Sequence, residues 1–385
     1  MKILYIFRSI AVWGGIERIL VDKMNWLSER YGMDVYLLTS DQGNLPIPYN
    51  LSKGVHHEDF NICFYRQYRF RGFRRLIMAG TMARQYRRLL ADRLQIIHPD
   101  LIICTTADRI STIAKLKGDI PLVVESHSIC FRTVNHGRNW LLKRLYRYHF
   151  IHSLSKVDMI VALTEGDAQE WRKYHSCVTV IPNFVHKHEQ LVSNYTSKKA
   201  IFVGRYDYQK RVQDAILIWE KVRERHPDWT LEIYGDGDML QEVSSLASTI
   251  GGVAIHQPTS RIFHAYQDCS FLISTSLFEP FGLVIPEAMS CGLPVLAFDC
   301  PYGPGDMIAD GEDGYIIKGR DIDAFADRIC ILIEKPELRK SMGQKALTSS
   351  QRYTPEHVMP LWLQLFGLLL HSDIINQKQV SVYEE

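Results

Sequence analysis

Two doubly wound α/β domains are what the sequence predicts, and three observations predict them. Short aliphatic and β-branched runs, six in each half of the chain, alternate with helical stretches from end to end. That alternation is the signature of a parallel sheet covered by helices on both faces. The chain has 385 residues, 46% of them hydrophobic, enough for two separate cores. A single polar interruption, VIPNFVHKHEQLVSNYTSKK (180–199), breaks the alternation near the middle and reads as a linker.

The first half opens with KILYIF (2–7), then DVYLLTS (34–40), LIICTT (101–106), LVVES (122–126) and MIVALT (159–164), and CVTVIP (177–182) closes the unit. The second half runs through AIFVGR (200–205), TLEIYG (230–235), GVAIHQ (252–257), SFLIST (270–275), PVLAFD (294–299) and GYIIK (314–318). Helices such as RVQDAILIWEKVRER (211–225) lie between them. The expected domains are residues 1–185 and 186–352, each Rossmann-like, followed by a helix and tail over 353–385. In such sheets ligands bind beyond the carboxyl ends of the strands, so chemistry is expected in the loops that follow them, facing a cleft.

Composition excludes several classes. The eight cysteines form no C-x-x-C pair and no Cys/His cluster, which argues against a zinc site or a disulfide framework and for a reducing, cytoplasmic setting. MKILYIF reads as a strand and meets Arg8 before a signal-peptide core could form, and LFGLLL near the end is too short to span a bilayer. Net charge is +2 but unevenly distributed. Residues 1–185 hold 26 Lys and Arg against 16 Asp and Glu, while the remainder holds 19 against 27, so the two halves are expected to meet different partners.

Four loops after strands carry candidate chemistry. In AVWGGIERIL, Gly14 and Gly15 precede a helix whose first N–H groups either face an acceptor or phosphate, or simply make a tight strand-to-helix turn. The chain has neither G-x-G-x-x-G followed by an acid nor a P-loop. In VGRYDYQKR, Arg205 and Lys210 are spaced to converge on one diphosphate, or else belong to a solvated turn. The glycine-rich turn IYGDGDM contains Gly235 and a D-x-D, Asp236 and Asp238, which reads as a helix N-cap rather than a metal site; Asp321 and Asp323 read the same way. In FEPFGLVIPEAMSCG, Pro286 suits the first turn of a helix, placing Glu279 in the loop and Glu287 in that turn, and Gly282 lets the loop amides approach a ligand. Carboxylates accepting from hydroxyls, with cations and amides left for phosphate, describe a nucleoside-diphosphate sugar.

The E-x7-E of FEPFGLVIPEAMSCGLPV, with VGRYDYQKR, IPNFV and GGIER at these spacings, resembles the retaining glycosyltransferases of family 4, of GT-B fold, over nearly the whole chain. The resemblance implies that Arg205 and Lys210 hold the donor diphosphate, that Glu287 binds the ribose and that Glu279 contacts the transferred sugar. It implies that backbone amides at Phe281, Gly282, Leu283 and Val284 line the donor, with Gly235 in the same site. It also implies a catalytic histidine after a strand of the first domain, and His127 in VVESHS stands there. The implied catalytic set is Glu279, His127, Lys210 and Arg205. No metal and no cofactor is implied; the nucleotide sugar, expected to be a UDP-sugar, is itself the substrate. A C-terminal helix crossing back to the first domain belongs to the same fold.

The implied reaction transfers a hexose or N-acetylhexosamine with retention to a glycan or lipid-linked acceptor in cell-surface polysaccharide synthesis, such as lipopolysaccharide or capsule. A binding protein of the same fold is the alternative. A phosphorylase would need a pyridoxal lysine site, and none can be picked out. The basic, aromatic stretches FYRQYRFRGFRRLIMAGTMARQYRRLL (64–90) and NWLLKRLYRYHF (139–150) suit an anionic membrane surface at the inner face of the cell membrane, a lipid-linked diphosphate, or a solvated helix face. No nucleic-acid motif accompanies them.

Overall fold

A computed structural model describes residues 1–106, 108–135, 140–186 and 190–371. It contains two all-parallel sheets, each in its own compact unit, with the architecture of two Rossmann-like domains. One unit comprises Met1–Leu163, Ala168–Ile181 and the chain from Met359 onward; the other comprises Thr164–Asp167 and Pro182–Val358. The expected linker contains the change of unit at Ile181 and Pro182, and its residues 187–189 lie outside the described residues.

The first sheet comprises β1 (Lys2–Phe7), β2 (Asp34–Thr39), β3 (Val55–Asp59), β4 (Leu101–Thr105), β5 (Leu122–Glu125), β6 (Met159–Ala162) and β7 (Val178–Val180). Their spatial order is β3-β2-β1-β4-β5-β6-β7, so the winding reverses between β1 and β4. The central strand β4 is buried at every position, as a strand covered on both faces must be. The strand β3, absent from the sequence reading, is the edge strand VHHED, with only Val55 buried. Its register opposite β2 supplies the backbone pairing that its own composition does not advertise.

The second sheet comprises β8 (Lys199–Val203), β9 (Thr230–Tyr234), β10 (Val253–His256), β11 (Phe271–Ser274), β12 (Val295–Phe298) and β13 (Gly314–Ile317), in the order β10-β9-β8-β11-β12-β13. The amphipathic helix Val212–Arg225 turns Val212, Ala215, Ile216, Trp219 and Val222 into this core. Each fully buried aliphatic side chain of that face contributes roughly 1.5 to 3 kcal/mol. Trp219 also satisfies its indole N–H on the Gly252 carbonyl at 2.9 Å.

The final helix, Pro355–Leu370, begins with the second unit and joins the first from Met359, so the return of the chain to its first domain is present. Among the described residues no helix is long and apolar enough to cross a membrane. The two basic stretches form a 3-10 turn Phe64–Arg69, the helix Gly72–Ile97 and the helix Trp140–Leu154. Residue 139 of the second stretch lies outside the described residues.

Candidate active site

In the second unit the loops after β8, β9 and β11 are fastened together by the backbone. Tyr206 donates its N–H to the Asp236 carbonyl at 2.8 Å and accepts at its own carbonyl from Met239 at 3.1 Å. Gly235 allows that closeness: a Cβ there would stand 1.9 Å from the Gly204 carbonyl oxygen. Thr275 Oγ1 lies 3.0 Å from the Lys210 carbonyl and 2.8 Å from that of Arg211, binding the start of the carboxylate loop to the end of the cationic one. Arg320 adds a second tie. Its guanidinium donates to the carbonyls of Ser276 at 3.0 Å and Thr275 at 2.9 Å, and to the buried Asp214 carboxylate.

This framework holds the predicted residues. Lys210 and Glu279 form an ion pair whose side chains are 14% and 4% exposed. The same oxygen of Glu279, Oε1, accepts from Ser276 Oγ at 2.6 Å. Its other oxygen, Oε2, makes no hydrogen bond among the described residues and remains open to a hydroxyl donor. Lys210 carries three N–H donors, so the pair with Glu279 leaves it capacity for a further acceptor. Asp207 connects the two cations: one of its oxygens accepts the Lys210 backbone N–H at 2.9 Å and the other meets the exposed Arg205 guanidinium at 3.1 Å.

Glu287 sits in the first turn of the helix Val284–Ser290, buried, where Oε2 accepts from Tyr266 Oη at 3.1 Å. Gly282 has φ +88°, the left-handed conformation that turns the chain into this helix, and Leu283 and Val284 follow it. Phe281 is buried and packs edge-on against Tyr353 with ring centroids 5.6 Å apart. Its carbonyl lies where a Cβ on Gly303 would fall, at 2.0 Å, so the 301–303 segment passes directly against the loop.

The D-x-D requires a correction. Neither aspartate caps a helix: Asp236 accepts from the N–H of its own neighbour Gly237 at 2.8 Å, and the following helix starts at Leu240 after Met239. Three residues intervene between Asp236 and the helix, beyond the reach of a cap on its first turn. Asp321 does cap its helix, accepting from Ala324 at 3.0 Å, whereas Asp323 pairs with Lys221 at 2.6 Å.

The first unit holds His127 and the Gly14–Gly15 turn. His127 Nε2 lies 3.1 Å from Glu125 Oε2, with a side chain only 4% exposed. Lys23, from the helix Gly15–Tyr31, pairs with the same carboxylate, and its ammonium lies 4.0 Å from the centre of the Trp362 ring on the final helix. Burial alone would raise the Glu125 carboxyl, but the charge of Lys23 and the His127 contact outweigh it and hold the group at about 2. Burial pulls Lys23 down from its ordinary value while Glu125 opposes that shift. At Gly14 the N–H donates to Tyr49 Oη at 2.8 Å, and a Cβ there would meet the Glu17 carboxylate at 2.1 Å. The chain's own acid thus stands at this helix start.

Sequence reasoning missed Ser276, Arg320, Asp214, Lys23 and Trp362. Ser276, two residues before the recognised stretch, was the most accessible of these, as a hydroxyl next to a strand end. Lys23 carried no signal, because its partner lies 102 residues away.

Comparison with known proteins identifies the family and the fold. Residues 13–189 match the profile described as Glycosyltransferase Family 4, and residues 184–348 match Glycosyl transferases group 1. An uncharacterized glycosyltransferase of Haemophilus influenzae is 24% identical over 94% of this chain and 98% of its own length. A poly(ribitol-phosphate) alpha-N-acetylglucosaminyltransferase of Staphylococcus aureus is 28% identical over 61% of this chain. Matched stretches span under half the length of several curated relatives, 24% and 49% in two cases. Among solved structures, S. aureus TarM in complex with fondaparinux, alpha-GlcNAc-glycerol and UDP superposes with a TM-score of 0.74 at 16% identity, covering 95% of this chain and 99% of that one.

Proposed function

Because the chain belongs to the glycosyl transferases group 1, with the GT-B fold, we propose that it moves a hexose or N-acetylhexosamine from a UDP-sugar to a glycan or lipid-linked acceptor, with retention of configuration and without a metal. The observation that carries the reading is the Lys210–Glu279 pair, a partly buried cation with spare donors beside a buried carboxylate with one open oxygen. Glu279 Oε2 accepts from hydroxyls of the transferred sugar, and Glu287 accepts from the ribose. Lys210 and Arg205 face the diphosphate.

As the sugar–phosphate bond breaks, negative charge collects on the leaving diphosphate, and Lys210 and Arg205 stabilise it. Preorganised donors of this kind are worth on the order of 3 kcal/mol each. The departing phosphate oxygen takes the proton of the acceptor hydroxyl as that hydroxyl bonds to the anomeric carbon on the same face, which gives retention. Arg205 and Lys210 supply the charge that a metal provides in other sugar transferases. Relatives named for poly(ribitol-phosphate) and for amylovoran biosynthesis support an acceptor in cell-surface polysaccharide synthesis. The basic helices of the first unit suit peripheral attachment to an anionic membrane.

Purified protein assayed against a panel of nucleotide sugars, with and without EDTA, tests the proposal. Turnover of a UDP-sugar that survives chelation supports it. Loss of all turnover with EDTA, restored by manganese, overturns metal independence. Saturable sugar-nucleotide binding without transfer to any glycan or lipid acceptor favours a binding protein instead.

A further inference from the structure

The first unit contains a cavity of about 940 Å³ that none of the predicted site residues lines. Its floor is made of strand ends: Phe7 at the end of β1 and Arg8 after it, Asp41 after β2, and Thr106 and Asp108 after β4. This is the place where the sheet order reverses, the usual ligand position in a doubly wound sheet. Its walls come from the 3-10 turn Phe64–Arg69 and the helices Gly72–Ile97 and Trp140–Leu154. The size suits a small-molecule ligand.

The charges within it are unequally committed. Asp41 is used twice, by the Phe64 N–H at 2.7 Å and by Arg8 Nε at 3.3 Å. Asp108 faces its own turn, accepting from the Thr105 N–H at 2.7 Å and the Thr105 hydroxyl at 2.9 Å. The Arg109 guanidinium carbon lies over the Phe64 ring, 3.6 Å from its centre, and Arg109 has no carboxylate partner among the described residues. Burial lowers its proton affinity; Tyr86 and Asp41 oppose that shift, and Arg8 adds to it. Three guanidiniums, those of Arg8, Arg109 and Arg132, thus share a cavity with two carboxylates that already accept hydrogen bonds. A neutral ligand would desolvate Arg109 without giving it an acceptor, which is costly; a phosphate would match its planar fork.

The remaining surface is aromatic. Tyr65, Tyr68 and Tyr146 line the cavity, and beyond Tyr68 the helix Gly72–Ile97 exposes Phe73 and Leu76, 76% and 68% accessible, between Arg71, Arg74 and Arg75. We propose that this cavity is the acceptor site and takes a phosphate-bearing acceptor, the phosphate on Arg109 beside Arg8 and the attached group along Tyr65, Tyr68 and Tyr146. The proposal rests on the transferase reading only for the word acceptor; the binding itself does not.

The experiment is titration calorimetry on the full chain with octyl phosphate, glycerol phosphate and octyl glucoside, for wild type, Arg109→Ala and Arg109→Lys, with UDP titrated into each sample and thermal melting recorded. Octyl phosphate should bind saturably and weaken at least tenfold in R109A, with R109K intermediate because a point charge replaces a fork. Octyl glucoside should bind weakly and equally in all three. Octyl phosphate binding much tighter than glycerol phosphate assigns a lipid phosphate; equal binding assigns a soluble polyol phosphate. Absence of saturable phosphate binding to wild type, or equal affinity in folded R109A, overturns the proposal. UDP that fails to bind while octyl phosphate does sinks the donor reading and leaves this site standing.

Discussion

Lys210 and Ser276 donate to the same oxygen of Glu279, leaving the other oxygen of that carboxylate open. The loop after β11 is therefore already organised around its acid before a sugar arrives, and the cation expected to meet the phosphate is what organises it. Under the proposed function, donor recognition and leaving-group stabilisation would be coupled through this one pair.

Lys210→Ala should consequently act twice. Removing the ammonium leaves the 4% exposed Glu279 uncompensated, and it removes charge stabilisation at the leaving diphosphate. Steady-state kinetics should show kcat falling on the order of a hundredfold with a smaller change in KM, because phosphate charge grows toward the transition state. A variant that folds and keeps wild-type kcat would remove Lys210 from the site.

The two glutamates should separate by ligand. Glu287→Gln should weaken both UDP and UDP-sugar, whereas Glu279→Gln should spare UDP and weaken only the sugar nucleotide, each by about 1.5 to 3 kcal/mol. That is roughly one to two powers of ten in Kd, readable by calorimetry. Equal losses for UDP in both variants would contradict the assignment of ribose to one and sugar to the other.

In the first unit, Lys23→Met should destabilise by about 3 to 5 kcal/mol, since it strands the Glu125 charge in a fully buried site. The double variant Lys23→Met, Glu125→Leu should recover much of that loss, because two buried charges disappear together. Urea denaturation compares them directly. Additive losses in the double variant would mean that the pair does not act as a unit.

Stability should also respond to pH in two windows of opposite sign. Burial raises the Asp108 carboxyl to about 7 against the hydrogen bonds of Thr105, so its contribution is complete below about pH 4 and disappears as pH rises through about 7. The Glu125 carboxyl, held at about 2, contributes above about pH 4.5 and is lost as pH falls toward 2. Asp108→Asn should therefore flatten the decline in urea midpoint between about pH 4 and pH 7 and leave the acid limb unchanged. An identical slope in both proteins would show that Asp108 does not titrate there.

Sedimentation with anionic vesicles tests the basic helices of the first unit. Binding should be strong at low salt and fade as ionic strength rises, since exposed charge is screened over about 10 Å at 0.1 M. Equal sedimentation with neutral vesicles would assign the exposed Phe73 and Leu76 to some other contact.

Most of the sheets was legible because central parallel strands are apolar runs bounded by turns, as in LIICT and FLIS. VHHED escaped because an edge strand takes its identity from its neighbour's register rather than from its own composition. Glu279 and Glu287 were legible because a proline and a glycine between them fix where the loop ends and the helix begins. Ser276 and Arg320 were not, since their roles depend on which backbone carbonyls and carboxylate oxygens come within 3 Å. The cavity around Arg109 was least visible of all. Arg8, Asp41 and Asp108 follow three different strands, and only the sheet order brings them together.

Trp362 covers the ammonium of Lys23 although the whole second sheet is translated between them. A ribosome that has made the seven strands of the first unit has therefore not yet made the ring that closes it over its buried charge. The nascent first unit must wait, with Lys23 uncapped, until the helix Pro355–Leu370 leaves the exit tunnel. The first sheet is thus translated before the second, yet the ring that covers its buried charge is translated after it.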